Sequence, residues 1–400
     1  MMSDIAVPRR PAPTVWVAGG LLALGALSIG AVFGWRLTGL MLVGGALGLV
    51  LYHAAFGFTA AWRVFIIDRR GRGLRAQMLM LAVTVLLFFP VLGNGTLFGQ
   101  AVSGFVAPIG ISVLVGAFLF GVGMQLGGGC ASGTLFTAGG GNARMLVTLA
   151  FFIVGSLIGT AHFTWWQGLP AFEPVSVVDT FGVAGGLVVS LGLFALIGLL
   201  TVALEKRRHG KLEETPRVDF GHRHWLTGPW PLLFGAVALA LLNFATLALA
   251  GRPWGITSAF ALWGAKAFEF LGGDVSGWGY WQNPGNAAAL DANVWQDVTT
   301  VMNVGIMLGA LAAASLAGRF APSLRIPLRS LLAAVVGGLL LGYGARLAFG
   351  CNIGAYFSGI ASGSVHGWVW MVAAFAGNIM GTWLRPWFFQ QPARPVSRSG

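Results

Sequence analysis

Charge is scarce in this chain of 400 residues, and acid is scarcer than base. Asp, Glu, Lys and Arg make up only 9% of it, 12 acidic against 24 basic. Soluble domains carry about 25% charged residues, so a water-facing globular surface is excluded. Cysteine is nearly absent as well: Cys130 and Cys351 are the only two. Two thiols cannot build a disulfide framework. They leave three readings: one bridge, two free thiols, or two small apolar packing residues. The six histidines form no metal-ligand pattern, so no metal is expected. His53, His162 and His366 fall in or near apolar runs and read as hydrogen-bonded interior side chains, while His222 and His224 sit in a polar stretch. There is no Walker sequence to bind ATP. No pair of carboxylates lies inside the apolar runs, which weakens a proton relay through acids.

What fills the chain is apolar. Hydrophobic residues make up 56%, and the mean hydropathy is +0.79. The fold class that follows is an all-α polytopic membrane protein. The 62 glycines suit helices that pack closely or break, and the 16 tryptophans suit interfacial belts. A net charge of +12 raises nucleic acid as a partner. The basic residues cluster in short loops between apolar runs, however, so the positive-inside rule accounts for them and nucleic-acid binding is not expected.

Runs of about 20 apolar residues predict ten spans: 14–34, 38–56, 76–92, 104–126, 145–164, 180–204, 230–250, 298–318, 330–349 and 366–387. The first run is too long for a signal-peptide core and reads as a retained helix. Arg9 and Arg10, the run from Arg69 to Arg75, the stretch from Lys206 to Arg223, the group Arg319, Arg325 and Arg329, and Arg385, Arg394 and Arg398 mark the cytoplasmic side. The connections 93–103, 165–179 and 271–297 hold no Lys or Arg and read as outside, which puts both termini in the cytoplasm. Residues 278–281, rich in aromatics, read as an interfacial lid or belt.

Four apolar stretches are too short to cross: 57–67, 130–141, 255–268 and 351–362. Short segments of this kind are often re-entrant, and broken backbone at membrane depth is tolerated only where it lines a cavity or packs in protein. Two of them carry the cysteines in matching text. Gly121, Gly123, Leu126, Cys130, Gly133 and Phe136 recur as Gly342, Gly344, Leu347, Cys351, Gly354 and Phe357, each 221 residues later. The other two start alike, Gly57-Phe58-Thr59 and Gly255-Ile256-Thr257. In the charge-derived topology the paired segments enter from opposite faces. The chain therefore reads as an inverted repeat, which places a substrate site near the midplane at the broken helices. The units are 1–37, a tail with an extra helix; 38–164, the first repeat; 165–229, an extra helix and cytoplasmic linker; 230–387, the second repeat; and 388–400, a cytoplasmic tail.

The candidate site residues follow from that placement. Cys130 lies between Gly129 and Ala131-Ser132-Gly133-Thr134, and Cys351 between Gly350 and Asn352-Ile353-Gly354. If short helices begin there, each thiol sits at a positive helix end that favours anions, and the glycines allow close approach to backbone. Arg346 stands five residues before Cys351, where the first repeat has Gln125. A lone arginine in a span is a functional candidate, or it snorkels to an interface. Arg63 and Lys266 stand in the other re-entrant segments, positioned to attract an anion at either entrance. Thr59, Thr257, Ser132, Thr134, Asn352 and Ser358 are candidate hydrogen-bond donors, each with a capping or backbone-bonding role as the alternative.

The text GVGMQLGGGCASGTLF (121–136) and GYGARLAFGCNIGAYFSGIASGSVHGWVWM (342–371), with GFTAAWR (57–63) and WGITSAF (254–260), resembles the YeeE/YedE sulfur-transport family. The resemblance implies an inner-membrane, non-enzymatic protein whose re-entrant helices meet at a central constriction. In transporting members thiosulfate is handed along thiols through weak S–H···S contacts, which here implies Cys130 and Cys351. Those members carry a third cysteine near the outer entrance, in a Gly-Phe-Cys sequence, where this chain has Thr59. The expected partners are a small sulfur-containing anion and the lipid bilayer, with no cofactor. Sulfite and selenium compounds remain open as substrates. The rival reading is a membrane redox component or sensor whose thiols form a disulfide or carry a persulfide, with a cytoplasmic sulfurtransferase-type protein as partner.

Overall fold

The computed structural model describes residues 13–214, 224–322 and 324–389. Arg9, Arg10, Pro216, His222, Arg223, Arg394 and Arg398 lie outside the described residues.

Each expected span is a helix: α1 (Pro13–Phe33), α2 (Trp35–His53), α4 (Arg72–Asn94), α5 (Ile111–Gly127), α7 (Ala143–Ala161), α8 (Val177–His209), α9 (Leu232–Ala250), α11 (Val298–Leu316), α12 (Leu328–Leu347) and α13 (Val365–Phe388). Nine helical stretches among the described residues are long and apolar enough to cross a membrane, and α13 stands outside those nine. Helices are the expected solution, because hydrocarbon offers no partner for an open backbone group. The four short segments are also helical: α3 (Phe58–Asp68), α6 (Ala131–Gly139), α10 (Thr257–Phe270) and a π-helix (Asn352–Ser358). The expected span 104–126 begins later than its apolar text. Pro108 supplies no N–H and disfavours helix at the residue before it, and Ile109–Gly110 instead pairs with Ala171–Phe172.

The helix packing repeats itself. α5 and α12 run antiparallel, Gly116 against Gly344 and Gly123 against Gly337, a contact that maps onto itself when the two halves are exchanged. α7 lies on α12 as α13 lies on α5, and α2 lies on α11 as α9 lies on α4. The pairing is atomic in detail. A side chain at Gly121 would strike the Ala374 carbonyl, and one at Gly342 the Phe152 carbonyl. Likewise Gly377 meets the Phe118 carbonyl and Gly155 that of Leu339. Such close approach is what small residues permit between membrane helices. The two helices read as extras also exchange: α1 packs on α11, and α8 on α4.

The ends of the bundle differ in charge. α4 runs from Arg72 to Asn94, and the hairpin beyond Asn94 reaches residue 251, Ser103 N donating to the Gly251 carbonyl over 2.9 Å. Residues 251–256 therefore lie at the end opposite the basic run around Arg72. At the basic end Glu205, fully buried, accepts from Arg75 (2.8 Å), Arg70 (3.2 Å), Gly71 N (3.1 Å) and Glu213 N (2.8 Å). It ties the loop between α3 and α4 to the end of α8.

Candidate functional site

Both cysteines cap broken helices. Gly128, with φ of 91°, turns the chain after α5, and Cys130 becomes the N-cap of α6. Its sulfur accepts from Gly133 N at 3.4 Å and lies 3.4 Å from Ser132 Oγ, while Thr134 Oγ1 donates back to the Cys130 carbonyl at 2.9 Å. In the second half Phe349, with φ of 57°, takes the turn that Gly128 makes in the first. Cys351 then caps the π-helix, its sulfur accepting from Ile353 N at 3.4 Å. The π character is visible in the backbone, where Tyr356 N reaches the Cys351 carbonyl at 3.3 Å. A side chain on Gly129 would press on the first turn of α6 at 3.1 Å, and one on Gly350 would meet Ala355 N at 2.9 Å. These glycines let the loops fold back on the helices they start. The two thiols are unbridged and buried, 1% and 0% exposed. α6 touches the π-helix.

The other two broken helices meet the same place. Phe58 and Trp62 of α3 pack edge-on against Tyr356 at 5.9 and 6.0 Å, and Trp370 stacks on it at 6.4 Å. Before α10, the Trp254 carbonyl accepts from Ser358 Oγ at 2.7 Å. Asn243 completes this knot, accepting from Trp254 N at 2.9 Å and donating to Ser358 Oγ at 3.3 Å. Around the thiols several buried polar atoms have no bonded partner among the described residues: both side-chain atoms of Asn352, the hydroxyls of Thr59 and Tyr356, and the indole N–H of Trp254 and Trp370. Buried polar groups are normally paired, and these are not; other unpaired buried groups, among them Ser156, Asn303 and Thr382, lie elsewhere in the chain.

Position 125/346 sets the halves apart. Gln125 is saturated: its amide donates to the Thr59 carbonyl (3.2 Å) and to Asn378 Oδ1 (2.6 Å), and its oxygen accepts from Arg63 (3.3 Å). Arg346 donates to Tyr280 Oη (2.7 Å) and to Thr257 Oγ1 (2.9 Å). Arg346 is buried, 7% exposed, and lines the cavity of the second half. Each preceding helix end is capped from the next long helix, Arg144 reaching the Gly127 carbonyl and His366 the Ala348 carbonyl.

A cavity of about 500 Å³ opens at the end away from the basic clusters and reaches the second thiol loop. Arg252 lies toward its mouth; Thr257, Tyr280, Arg346, Gly350 and Gly354 line its interior. Gly350 and Gly354 flank the Cys351 turn, and nothing stands within 4 Å of a side chain built at Gly354. Thr59 does not line this cavity; Phe58, Trp62 and Tyr356 lie on that side. Lys266 is half-buried on α10 and also outside the lining. Residues 278–281 fold inward, with Trp281 buried and donating to Thr160 at 3.3 Å, which fits a lid and not a lipid-facing belt. No cluster of metal-binding side chains occurs among the described residues.

Sequence reasoning passed over Arg252, Tyr280, Asn243 and Asn378. The asparagines were findable, as lone amides inside apolar spans. Arg252 was findable as a cation in an outward connection. Tyr280 lay within the aromatic stretch 278–281, but its bond to Arg346, 66 residues away, had no signal.

A membrane protein whose broken helices meet at its centre from both halves belongs to the class in which transporters build their substrate sites. The chain is a member of the sulphur transport family, which it matches over residues 53–380, the YeeE/YedE family of the resemblance above. It is 29% identical over 366 residues to the thiosulfate transporter TsuA of Spirochaeta thermophila, covering 87% of this chain and 98% of that one. With TsuA of Escherichia coli K12 it shares 27% identity over 381 residues, 91% of this chain and 97% of the relative. The probable transporter YedE of the same strain is 31% identical over 160 residues, and the chain matches only 38% of that relative's length.

Proposed function

We propose that this protein carries a small sulfur-containing anion, foremost thiosulfate, through a central constriction formed by Cys130 and Cys351, in a bacterial inner membrane with both termini cytoplasmic. One observation carries the reading: two buried sulfurs cap two touching broken helices, and a cavity lined by two arginines reaches Gly350 and Gly354, which flank the second cysteine. Thiosulfate is doubly charged and has a soft terminal sulfur. The helix N-termini offset its charge. The thiols give it weak, polarisable contacts. Conduction requires binding strong enough to admit and weak enough to release, and neutral thiols meet that better than a fixed cation at the narrowest point. The positive-inside rule turns the cavity outward, so an anion arriving from outside reaches Arg346 first. The TsuA relatives, named for thiosulfate, support the choice of anion.

The persulfide alternative needs a sulfur that a soluble sulfurtransferase-type partner can reach, and burial of both thiols disfavours it. The test is uptake of labelled thiosulfate by cells that lack other importers. Cys130→Ala and Cys351→Ala are each expected to reduce it to background, with sulfite and selenium oxyanions run beside it to rank substrates. Normal uptake by either variant sinks the thiol constriction.

A further inference from the structure

Arg346 is a buried charge without a counter-charge. It is 7% exposed, and no carboxylate lies within ion-pair distance of it among the described residues. Its two bonded partners, Tyr280 and Thr257, are neutral hydroxyls, and its Nε–H has no partner at all. A guanidinium has five N–H donors, so most of its bonding capacity is unused while it lines the cavity. Leaving such a group uncompensated at membrane depth is costly. The fold itself does not require the charge, because Gln125 fills the equivalent place in the first half with every polar group satisfied.

The surroundings hold the arginine in place. Gly159 leaves room for its stem: a side chain there would come within 2.7 Å of Arg346 Cβ and Cγ. The Tyr280 ring lies under the guanidinium, 5.6 Å from its centroid, and is seated in a small separate core with Trp281, Leu262 and Val275. Gly350 and Gly354, which flank Cys351, line the same cavity as Arg346.

The geometry points to an oxyanion clamp: Arg346, positioned by Tyr280 and Thr257, binds the oxygen face of a tetrahedral sulfur oxyanion and leaves the opposite corner facing Cys351. This inference rests on the transport reading and adds a selection step to it. Planar guanidinium edges pair with two oxygens at once. Thiosulfate held that way presents its terminal sulfur to the thiol. Sulfate satisfies the same clamp but offers the thiol only another oxygen, so it occupies the cavity and is not passed on.

The test is equilibrium binding of labelled thiosulfate to the purified full-length protein in detergent, with sulfate as competitor. Wild type is expected to bind thiosulfate and to lose it to excess sulfate. Arg346→Gln, the residue the first half already accommodates, is expected to weaken thiosulfate binding by at least about tenfold, the loss of one charge-assisted bond. Arg346→Lys keeps the charge, loses the fork and is expected to fall between the two. Unchanged affinity in folded Arg346→Gln, wild-type affinity in Arg346→Lys, or failure of sulfate to compete with wild type overturns the clamp. Cys351→Ser separates the two readings. It is expected to keep sulfate binding, which needs only Arg346, while thiosulfate loses its thiol contact and uptake stops; normal uptake instead would overturn the thiol constriction and leave the clamp standing.

Discussion

At the scale of single residues, the cysteine sulfurs cap two broken helices, and the proposed function gives them a second role as pore wall. Cys130 and Cys351 accept backbone N–H groups that serine would cap at least as well. Cys130→Ser and Cys351→Ser should therefore keep stability within about 1 kcal/mol of wild type, by thermal unfolding in detergent, while losing thiosulfate uptake. A parallel fall in stability and uptake would mean the sulfur matters only as a cap. Thr59 is the converse case. Its hydroxyl is buried and without a bonded partner, and a thiol tolerates that setting better. Thr59→Cys is expected to fold normally and to raise the rate of thiosulfate uptake; a lower rate would show that the hydroxyl is the working group.

At the scale of elements, the four broken helices stay in place because long helices close tightly around them. The paired glycines Gly121 and Gly342, and Gly155 and Gly377, set that closeness. Gly377→Val forces α13 off the Phe118 carbonyl of α5 and should cost about 1–3 kcal/mol, read as a lowered unfolding temperature and reduced yield of folded protein. Glu205→Ala should be comparably harmful, about 1–3 kcal/mol, because it leaves the Gly71 and Glu213 N–H groups and two partly exposed guanidiniums without their acceptor. Unchanged thermal stability of that variant would mean the loop between α3 and α4 is held by something else.

At the scale of the whole molecule, the two halves are alike in packing and unlike in chemistry. The second half carries Arg346 in a cavity that reaches the turn of its thiol; the first half carries the fully bonded Gln125, and its smaller cavity, about 270 Å³, lies along α3 at the basic end. Orientation then decides direction of approach. In a background lacking Cys130 and Cys351, a cysteine at Asn283, on the cavity wall, should react with a membrane-impermeant maleimide added outside intact cells. One at Arg325, at the basic end, should react only after the cells are opened. The reverse pattern would invert the topology and turn uptake into export.

The amino-acid sequence by itself determined the all-helical membrane class, the four short segments, the duplicated text and the two thiols. Each of these rests on local signals: run length, glycine placement, and identical text at a fixed offset. The start of α5 was misjudged for a local reason too, since Pro108 outweighs the hydropathy around it. Tertiary structure alone decided which polar groups are satisfied. Gln125 and Arg346 occupy matching text, yet one is saturated by Thr59, Asn378 and Arg63 while the other faces a cavity with two neutral hydroxyls for company. Whether a buried charge has a partner depends on contacts between residues far apart in the chain. No period or spacing in the sequence encodes them.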